Sequence, residues 1–166
     1  MVELISRNAR QKDLCSIVEI YNSTVPSRKV TADTEPVSVE SKQSWFDAHD
    51  TVKRPLWVFE NNSGEIIGWA SFQSFYGRPA YDATVEVSIY LAEKQRGKGL
   101  GKKILQFCMD NAPVFGIKTL LGFIFEHNTA SINLFKQFGF DIWGRLPNIA
   151  LLDGEEKGLH ILGKRL

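Results

Sequence analysis

Glu86, Ser88 and Tyr90 place a carboxylate, a hydroxyl and a phenol at every second position, in register with Val85, Val87, Ile89 and Leu91 at the positions between. That alternation is a strand with one face committed to a core and the other free for chemistry. At strand rise Glu86 and Tyr90 stand about 13 Å apart, so a single ligand stretched along the strand would touch both. The strand runs directly into Arg96-Gly97-Lys98-Gly99-Leu100-Gly101, a basic glycine turn that opens a helix. Glycines there let the backbone approach a ligand closely, and the first unpaired N–H groups of the helix, aided by its dipole, point at whatever sits in the turn. A diphosphate fits that description. A surface strand followed by a solvated basic loop would show the same residues; their direct junction is what points to a ligand.

Spacing narrows the diphosphate. A P-loop needs Gly-Lys-Ser/Thr after four residues, whereas Gly101 is followed by Lys102 and Lys103 with no hydroxyl to hold magnesium. The dinucleotide fingerprint fails as well, since Lys102 occupies its third glycine position after Gly97 and Gly99.

The elements that must position these residues follow from periodicity. Residues 2–6 read as a first strand, and residues 13–21 as a helix with Leu14, Ile17, Val18 and Tyr21 on one face. Ser38 caps a second helix whose apolar side is Val39, Trp45 and Phe46. Residues 56–60 and 65–72 are strands joined by Asn61-Asn62-Ser63-Gly64, a hairpin turn. Residues 73–83 form a loop around Gly77 and Pro79, followed by the strand at 85–91. A helix starts at Gly99 and ends near Pro113 and Gly116; residues 117–125 are a buried strand. Residues 130–138 are a short helix, capped by Asn128 or Thr129 and stopped by Gly139. Residues 140–143, 149–152 and 159–166 close the sheet, with 153–158 as a turn. The fold class is α+β around a mixed sheet.

At 166 residues and 43% apolar content the chain is expected to be one domain, residues 1–166, with material for a proper core. Formal charge is +1, and basic residues are dispersed except between Lys94 and Lys103, so no nucleic-acid partner is indicated. No leader and no apolar run long enough to span a bilayer is present, which reads as a cytoplasmic protein without a membrane partner. Cys15 and Cys108 fall within apolar helical patterns and read as reduced core thiols. His49, His127 and His160 are too scattered for a metal site, so no metal is expected. The sequons at Asn22 and Asn61 are coincidental if the chain is never secreted.

The Arg96-x-x-Gly99-x-Gly101 turn resembles the pyrophosphate loop of the GNAT superfamily of N-acetyltransferases, which binds acetyl-CoA. The element order is similar to that family's over nearly the whole chain, and Glu126-His127-Asn128 through Phe138-Gly139-Phe140 resembles its asparagine-to-Gly-Phe block. Within the superfamily, Glu19-Ile20-Tyr21-Asn22, Asp33-Thr34-Glu35-Pro36, Gly68-Trp69-Ala70-Ser71-Phe72 and Tyr81-Asp82-Ala83-Thr84-Val85-Glu86 are similar to the phosphinothricin and methionine sulfoximine N-acetyltransferases. Those enzymes acetylate the α-amine of small amino-acid analogues and are commonly dimers.

The resemblance implies a mostly antiparallel mixed sheet flanked by about four helices, with acetyl-CoA as co-substrate and a homodimer. It assigns the pantetheine arm to Ile89, Tyr90, Leu91, Asn128 and Ser131. The pyrophosphate falls to Arg96, Gly97, Lys98, Gly99, Leu100 and Gly101. It also implies Glu86 as general base, its pKa raised by burial among Trp69, Phe72 and Phe75. A salt bridge to a neighbour such as Arg78 is the structural alternative for Glu86. Phe135 stands where many family members carry an acidic tyrosine; a phenyl ring donates no proton, which leaves the thiolate unassisted or served by Tyr90 or water. For the acceptor, the planar fork of Arg78 suits a carboxylate or phosphinate, with Phe75, Tyr76 and Tyr81 as walls and Val85, Glu86 and Val87 beneath. A solvated Arg78 is the bland reading. Other acceptors, namely a polyamine, an aminoglycoside or a protein N-terminus, keep the same fold, and a non-catalytic acetyl-CoA-binding module is the reading of a different class.

Overall fold

The computed structural model describes residues 4–166. Val2 and Glu3 of the expected first strand lie outside the described residues. The chain runs β1 (Ile5–Asn8), α1 (Leu14–Asn22), α2 (Val39–Asp47), β2 (Leu56–Glu60), β3 (Ile66–Ser74), β4 (Thr84–Leu91), α3 (Leu100–Asn111), β5 (Thr119–Phe125), α4 (Thr129–Gln137), β6 (Asp141–Leu152) and β7 (Glu155–Arg165). The strands form one seven-stranded sheet in the order β1-β2-β3-β4-β5-β7-β6. Only β4 and β5 pair in parallel; the other neighbours are antiparallel.

Helices cover both faces, and β2 shows why. Leu56 and Val58 point to one side, where they join Ile17 and Ile20 of α1 and Trp69 of β3. Trp57 and Phe59 point to the other, into the larger core with Phe72, Val85, Val87, Ile104, Leu105 and Cys108. A strand buried on both faces loses the simple alternation of a surface strand, which accounts for the continuous apolar run Leu56-Trp57-Val58-Phe59. The α2 cap is as expected, with the Ser38 hydroxyl accepting from the Ser41 N–H at 3.1 Å.

Several boundaries move. β3 extends through Ser74, and the loop after it holds a short 3-10 turn at Pro79–Tyr81. The two short strands expected near the C-terminus are one twelve-residue strand, β6, whose register slips between Ile142 and Gly144 and again between Leu146 and Ala150. These irregularities break the period-two pattern that would reveal the strand. The turn expected over 153–158 shrinks to Asp153 and Gly154, both with positive φ (51° and 84°), because a two-residue hairpin of that handedness matches the strand twist. Cys108 is buried as expected, but Cys15 is exposed: it occupies the solvent side of α1, opposite Leu14, Ile17 and Val18. No helix among the described residues is long and apolar enough to cross a membrane.

Candidate active site

The parallel pair at the centre of the sheet is short. Register between β4 and β5 covers Thr84 to Glu86 against Thr119 to Leu121 and then ends, although both strands continue. Past Glu86 the strands part, and the backbone groups of β4 that face β5 have no partner strand. Backbone N–H and C=O groups are obligatory hydrogen-bonding groups, so such a split is a ready seat for an extended polar ligand. A cleft of about 410 Å³ fills it, lined by Ile89, Tyr90 and Leu91 on β4 and by Gly122 to Phe125 on β5. Arg96, Gly101, Asn128 and Ser131 line the same cleft, so these seven of the eleven expected cofactor residues are brought together.

The other four stand differently. Gly97, Lys98 and Gly99 are exposed at the start of α3, and the Leu100 side chain turns away into the core. Gly97 and Gly99 have φ of 74° and 77°, the left-handed region, and a Cβ at Gly99 would meet nothing within 4 Å. The glycines are there for backbone conformation, not to relieve crowding. Gly99 is the N-cap of α3 and has no side chain to bond its first N–H groups, which leaves those donors for an anion. Arg96 acts as a brace: Nε donates to the Leu91 carbonyl at 3.0 Å and an Nη donates to the Ser23 hydroxyl at 2.6 Å, tying the turn to the ends of β4 and α1.

Asn128 has a double structural task. Its Oδ1 accepts from the Ser131 N–H at 3.2 Å, capping α4, and its Nδ2 donates to the Lys29 carbonyl at 3.1 Å. His127 meets the neighbouring Arg28 carbonyl at 2.7 Å. The start of α4 thereby holds down residues 25–37, of which Val30, Thr31 and Ala32 form a cleft wall. Phe135 is buried with its ring over Gly122, where any Cβ would meet it at 2.6 Å, and against Phe140 at 4.8 Å. It packs as a core aromatic.

A second cavity, of about 320 Å³, opens on the α1/α2 face of the sheet. Tyr21, Lys42, Trp45 and Trp69 line it together with Glu86, Ser88 and Tyr90, and the last three also line the first cleft. Glu86 therefore stands where the two spaces meet. Burial raises its carboxyl above the ordinary value, with the Ser88 hydroxyl working the other way. Among the described residues Glu86 forms no salt bridge, so the alternative of a pairing with Arg78 is not found. Tyr90 stacks on Trp69 at 4.3 Å and lies 5.2 Å from Tyr21; burial first, then the nearby Tyr21 and Glu86, hold its phenol protonated well above the ordinary range.

The expected acceptor residues divide. Trp69 lines the α1/α2 cavity with Glu86 but pairs with Tyr90 along the sheet, and Phe72 is on the opposite face in the main core, as are the side chains of Val85 and Val87, because β-strand neighbours alternate sides. Phe75, Tyr76 and Tyr81 cluster with ring centroids 4.4 to 6.2 Å apart, outside both cavities. Arg78 is exposed and also lines neither. Sequence reading missed Tyr21, Lys42 and Trp45 as cavity residues. Tyr21 and Trp45 were absorbed into apolar helix faces, and the usable signal was Lys42 three residues before Trp45, which puts both on one side of α2.

The sequence matches the family described as the Acetyltransferase (GNAT) domain over residues 7–156. The chain belongs to the GNAT acetyltransferases. It is 51% identical over 160 residues to YwnH of Bacillus subtilis (strain 168), provisionally named a phosphinothricin acetyltransferase, covering 96% of this chain and 98% of that one. It is 35% identical over 143 residues to the L-methionine sulfoximine/L-methionine sulfone acetyltransferase of Pseudomonas paraeruginosa (strain DSM 24068 / PA7), covering 86% and 83% of the two chains. Among solved structures, it superimposes with a TM-score of 0.91 at 29% identity on the GNAT superfamily phosphinothricin acetyltransferase of Sinorhizobium meliloti in complex with AcCoA, covering 98% of this chain and 88% of that one. The seven-stranded, mostly antiparallel sheet with four helices is the fold of this family.

Proposed function

We propose that this GNAT acetyltransferase transfers the acetyl group of acetyl-CoA to the α-amine of a small amino acid or analogue of the phosphinothricin or methionine sulfoximine type. The observation that carries this reading is the position of Glu86, the carboxylate common to the strand-split cleft and the α1/α2 cavity. The relative in complex with AcCoA and the relatives named for methionine sulfoximine and phosphinothricin support the same pair of substrates.

The unpaired edge of β4 beyond Glu86 and the open N-terminus of α3 suit the pantetheine amides and the pyrophosphate. When bound, acetyl-CoA supplies an activated acetyl thioester. An α-ammonium must lose a proton before it attacks, and Glu86, with its affinity for a proton raised by burial, takes that proton directly or through water. The freed amine forms the new C–N bond at the acetyl carbon, the C–S bond breaks with its electron pair leaving on sulfur, and the nitrogen, cationic after attack, gives its second proton to water. The thiolate is a modest base, so water in the open cleft serves to protonate it; Phe135 has no proton to give, and Tyr90 is the phenol on the cleft wall. The same proposal includes a homodimer that covers the edge strand β6.

The test is acetyl-CoA turnover over a panel of amino acids, amino-acid analogues, polyamines and an N-terminal peptide. Selective consumption with methionine sulfone, methionine sulfoximine or phosphinothricin supports the reading, and turnover confined to polyamines or peptides would sink it.

A further inference from the structure

We infer that residues 28–33 are a latched strap: His127 and the Arg28–Asp153 pair hold it across the split between β4 and β5, and the opening of this latch sets how fast a ligand enters and leaves the cleft. The inference rests on the proposed cofactor seat and adds a moving part to it.

The chain between α1 and α2 holds a short 3-10 turn at Val25–Ser27 and is otherwise irregular. It nevertheless leaves and returns at one place, the C-terminal end of α1. Thr24 and Val25 are buried where the chain departs. Asn22 receives it back, its Nδ2 donating to the Val37 carbonyl and its Oδ1 accepting from the Val37 N–H, both at 2.9 Å. A surface excursion whose ends meet in this way is an Ω-loop, fixed at its feet and able to move at its tip.

The tip crosses the split. α1 packs on the side of β3 and β4, whereas the partners of the tip lie on α4, which follows β5, and on the β6–β7 hairpin. Val30, Thr31 and Ala32, carried between those moorings, form a cleft wall.

The moorings are polar and few. The Arg28 carbonyl accepts from His127 Nε2 at 2.7 Å, and the Lys29 carbonyl accepts from Asn128 Nδ2 at 3.1 Å. Arg28 Nε donates to the Asp153 carboxylate at 2.8 Å, while Nη1 turns back to the Val25 and Thr34 carbonyls at 3.1 and 2.7 Å. One guanidinium thus stiffens the strap and ties it down. The Tyr21 hydroxyl holds Thr31 and Asp33 from the α1 side. Arg28 itself adopts φ 53°, the left-handed region that disfavours a residue with a Cβ, so its contacts and not its own preference keep the tip in shape. Val30 and Ala32 are exposed and only Thr31 of the tip is buried. A segment with so little buried apolar surface opens at a lower free energy than the fold as a whole.

A latch and an ordinary binding contact differ in kinetics. Losing a contact to the ligand speeds its exit alone, whereas weakening a latch that must open in both directions speeds entry and exit together. Two residues of the latch can be changed without touching the cleft lining. Asp153→Asn keeps the side-chain shape, removes the charge and tolerates the left-handed φ of 51° at that position. His127→Phe keeps the ring that stacks on Phe125 at 5.5 Å, removes the donor to Arg28, and also removes a buried Nδ1 that has no partner among the described residues. Glu155→Gln is the control, since Glu155 lies in the same hairpin and pairs with Lys157, not with the strap.

Three measurements on these variants and the His127→Phe, Asp153→Asn double variant test the strap: tryptic nicking after Lys29 in the free protein, stopped-flow association and dissociation of CoA, and calorimetric melting. Nicking follows the population of the open strap when cleavage is slower than reclosing. Each single variant should nick a few-fold faster and the double variant ~10-fold faster, the scale of one lost charge-assisted hydrogen bond, with melting little changed. CoA association and dissociation should both accelerate in the double variant while Kd changes much less, saturating CoA should slow nicking of the wild type, and Glu155→Gln should match the wild type throughout. Unchanged nicking in the double variant, faster dissociation with association unaltered, or CoA that binds without slowing the nicking would overturn the inference. A wild type that binds no CoA would sink the proposed cofactor seat and with it the gating, and faster nicking in the double variant would then leave only the latch itself standing.

Discussion

Burial raises the Glu86 carboxyl above its ordinary value, and the Ser88 hydroxyl opposes that shift without cancelling it. Between the unfolded and folded pKa values the native protein keeps a proton that the unfolded chain has released, so stability falls as pH rises through that window. The charged form that the proposed proton abstraction requires is thus the form that costs stability. Glu86→Gln should therefore melt higher than wild type at pH 7 and converge with it near pH 4, while kcat/KM drops by roughly 10²-fold, the usual scale for a general base. The rising limb of the wild-type pH–rate profile should vanish in the variant. Calorimetric melting at the two pH values, paired with initial rates across pH, checks both halves; full activity in the variant at neutral pH would remove the base. Asn128 poses a different question, because one residue caps α4 and ties down residues 25–37. Asn128→Asp retains the acceptor for the Ser131 N–H and replaces the donor to the Lys29 carbonyl with a repelling oxygen. KM for acetyl-CoA should rise several-fold as the cleft wall loosens, with the melting temperature little changed. A melting loss with KM unchanged would make the residue a cap and nothing more.

At the scale of elements, the turn between β4 and α3 is proposed to bind through its backbone, and charge separates that role from mere flexibility. Asp and Asn both tolerate the left-handed conformation that Gly99 adopts at φ 77°, so either should fold at similar cost. Only Asp sets a negative charge beside the open N-terminus of α3. Gly99→Asp should weaken CoA binding about tenfold or more in calorimetry and Gly99→Asn much less, and equal affinities for the two would place the pyrophosphate elsewhere. This turn was readable in the sequence because glycine, a helix start and a preceding strand each leave local marks. The hairpin at Asn61 to Gly64, the Ser38 cap and the Gly139 stop were readable for the same reason. β6 was not, since its two register slips break the alternation, and residues 155–158 read as turn because Glu155, Glu156, Lys157 and Gly158 show no strand propensity of their own. The split of β4 from β5 left no local mark at all: strand pairing is a property of two distant segments, and nothing in residues 85–91 records that their partner turns away. Lys42 was hidden similarly, one lysine on an amphipathic helix until the packing of α2 against the sheet brings it to the cavity of Glu86.

The sheet as a whole has its strand split in the middle and its unfinished surface at one end. β1 and β6 are the edge strands, and β6 is the longer by far, with Trp143, Ile149 and Leu151 each more than half exposed. Trp143 lies across Gly163 on the adjacent strand, where no Cβ would fit, and shows solvent its other side. A long edge strand with several exposed large apolar side chains is the feature that soluble proteins cover by pairing or by association. A twofold dimer would cover the same patch on both copies at once. Ile149 and Leu151 make few demands on the fold, at 57% and 66% exposure, so charging them tests association without emptying a core. The double variant Ile149→Lys, Leu151→Glu should stay folded by circular dichroism and sediment as a monomer at concentrations where the wild type sediments as a dimer. Because Arg28 of the strap over the strand-split cleft pairs with Asp153 in the hairpin that ends β6, at 2.8 Å, loosening that strand should also raise KM for acetyl-CoA modestly if the proposed cofactor seat is right. A wild type that sediments as a monomer at every concentration would discard the dimer, and a dimer unaffected by the double variant would move its seam away from β6.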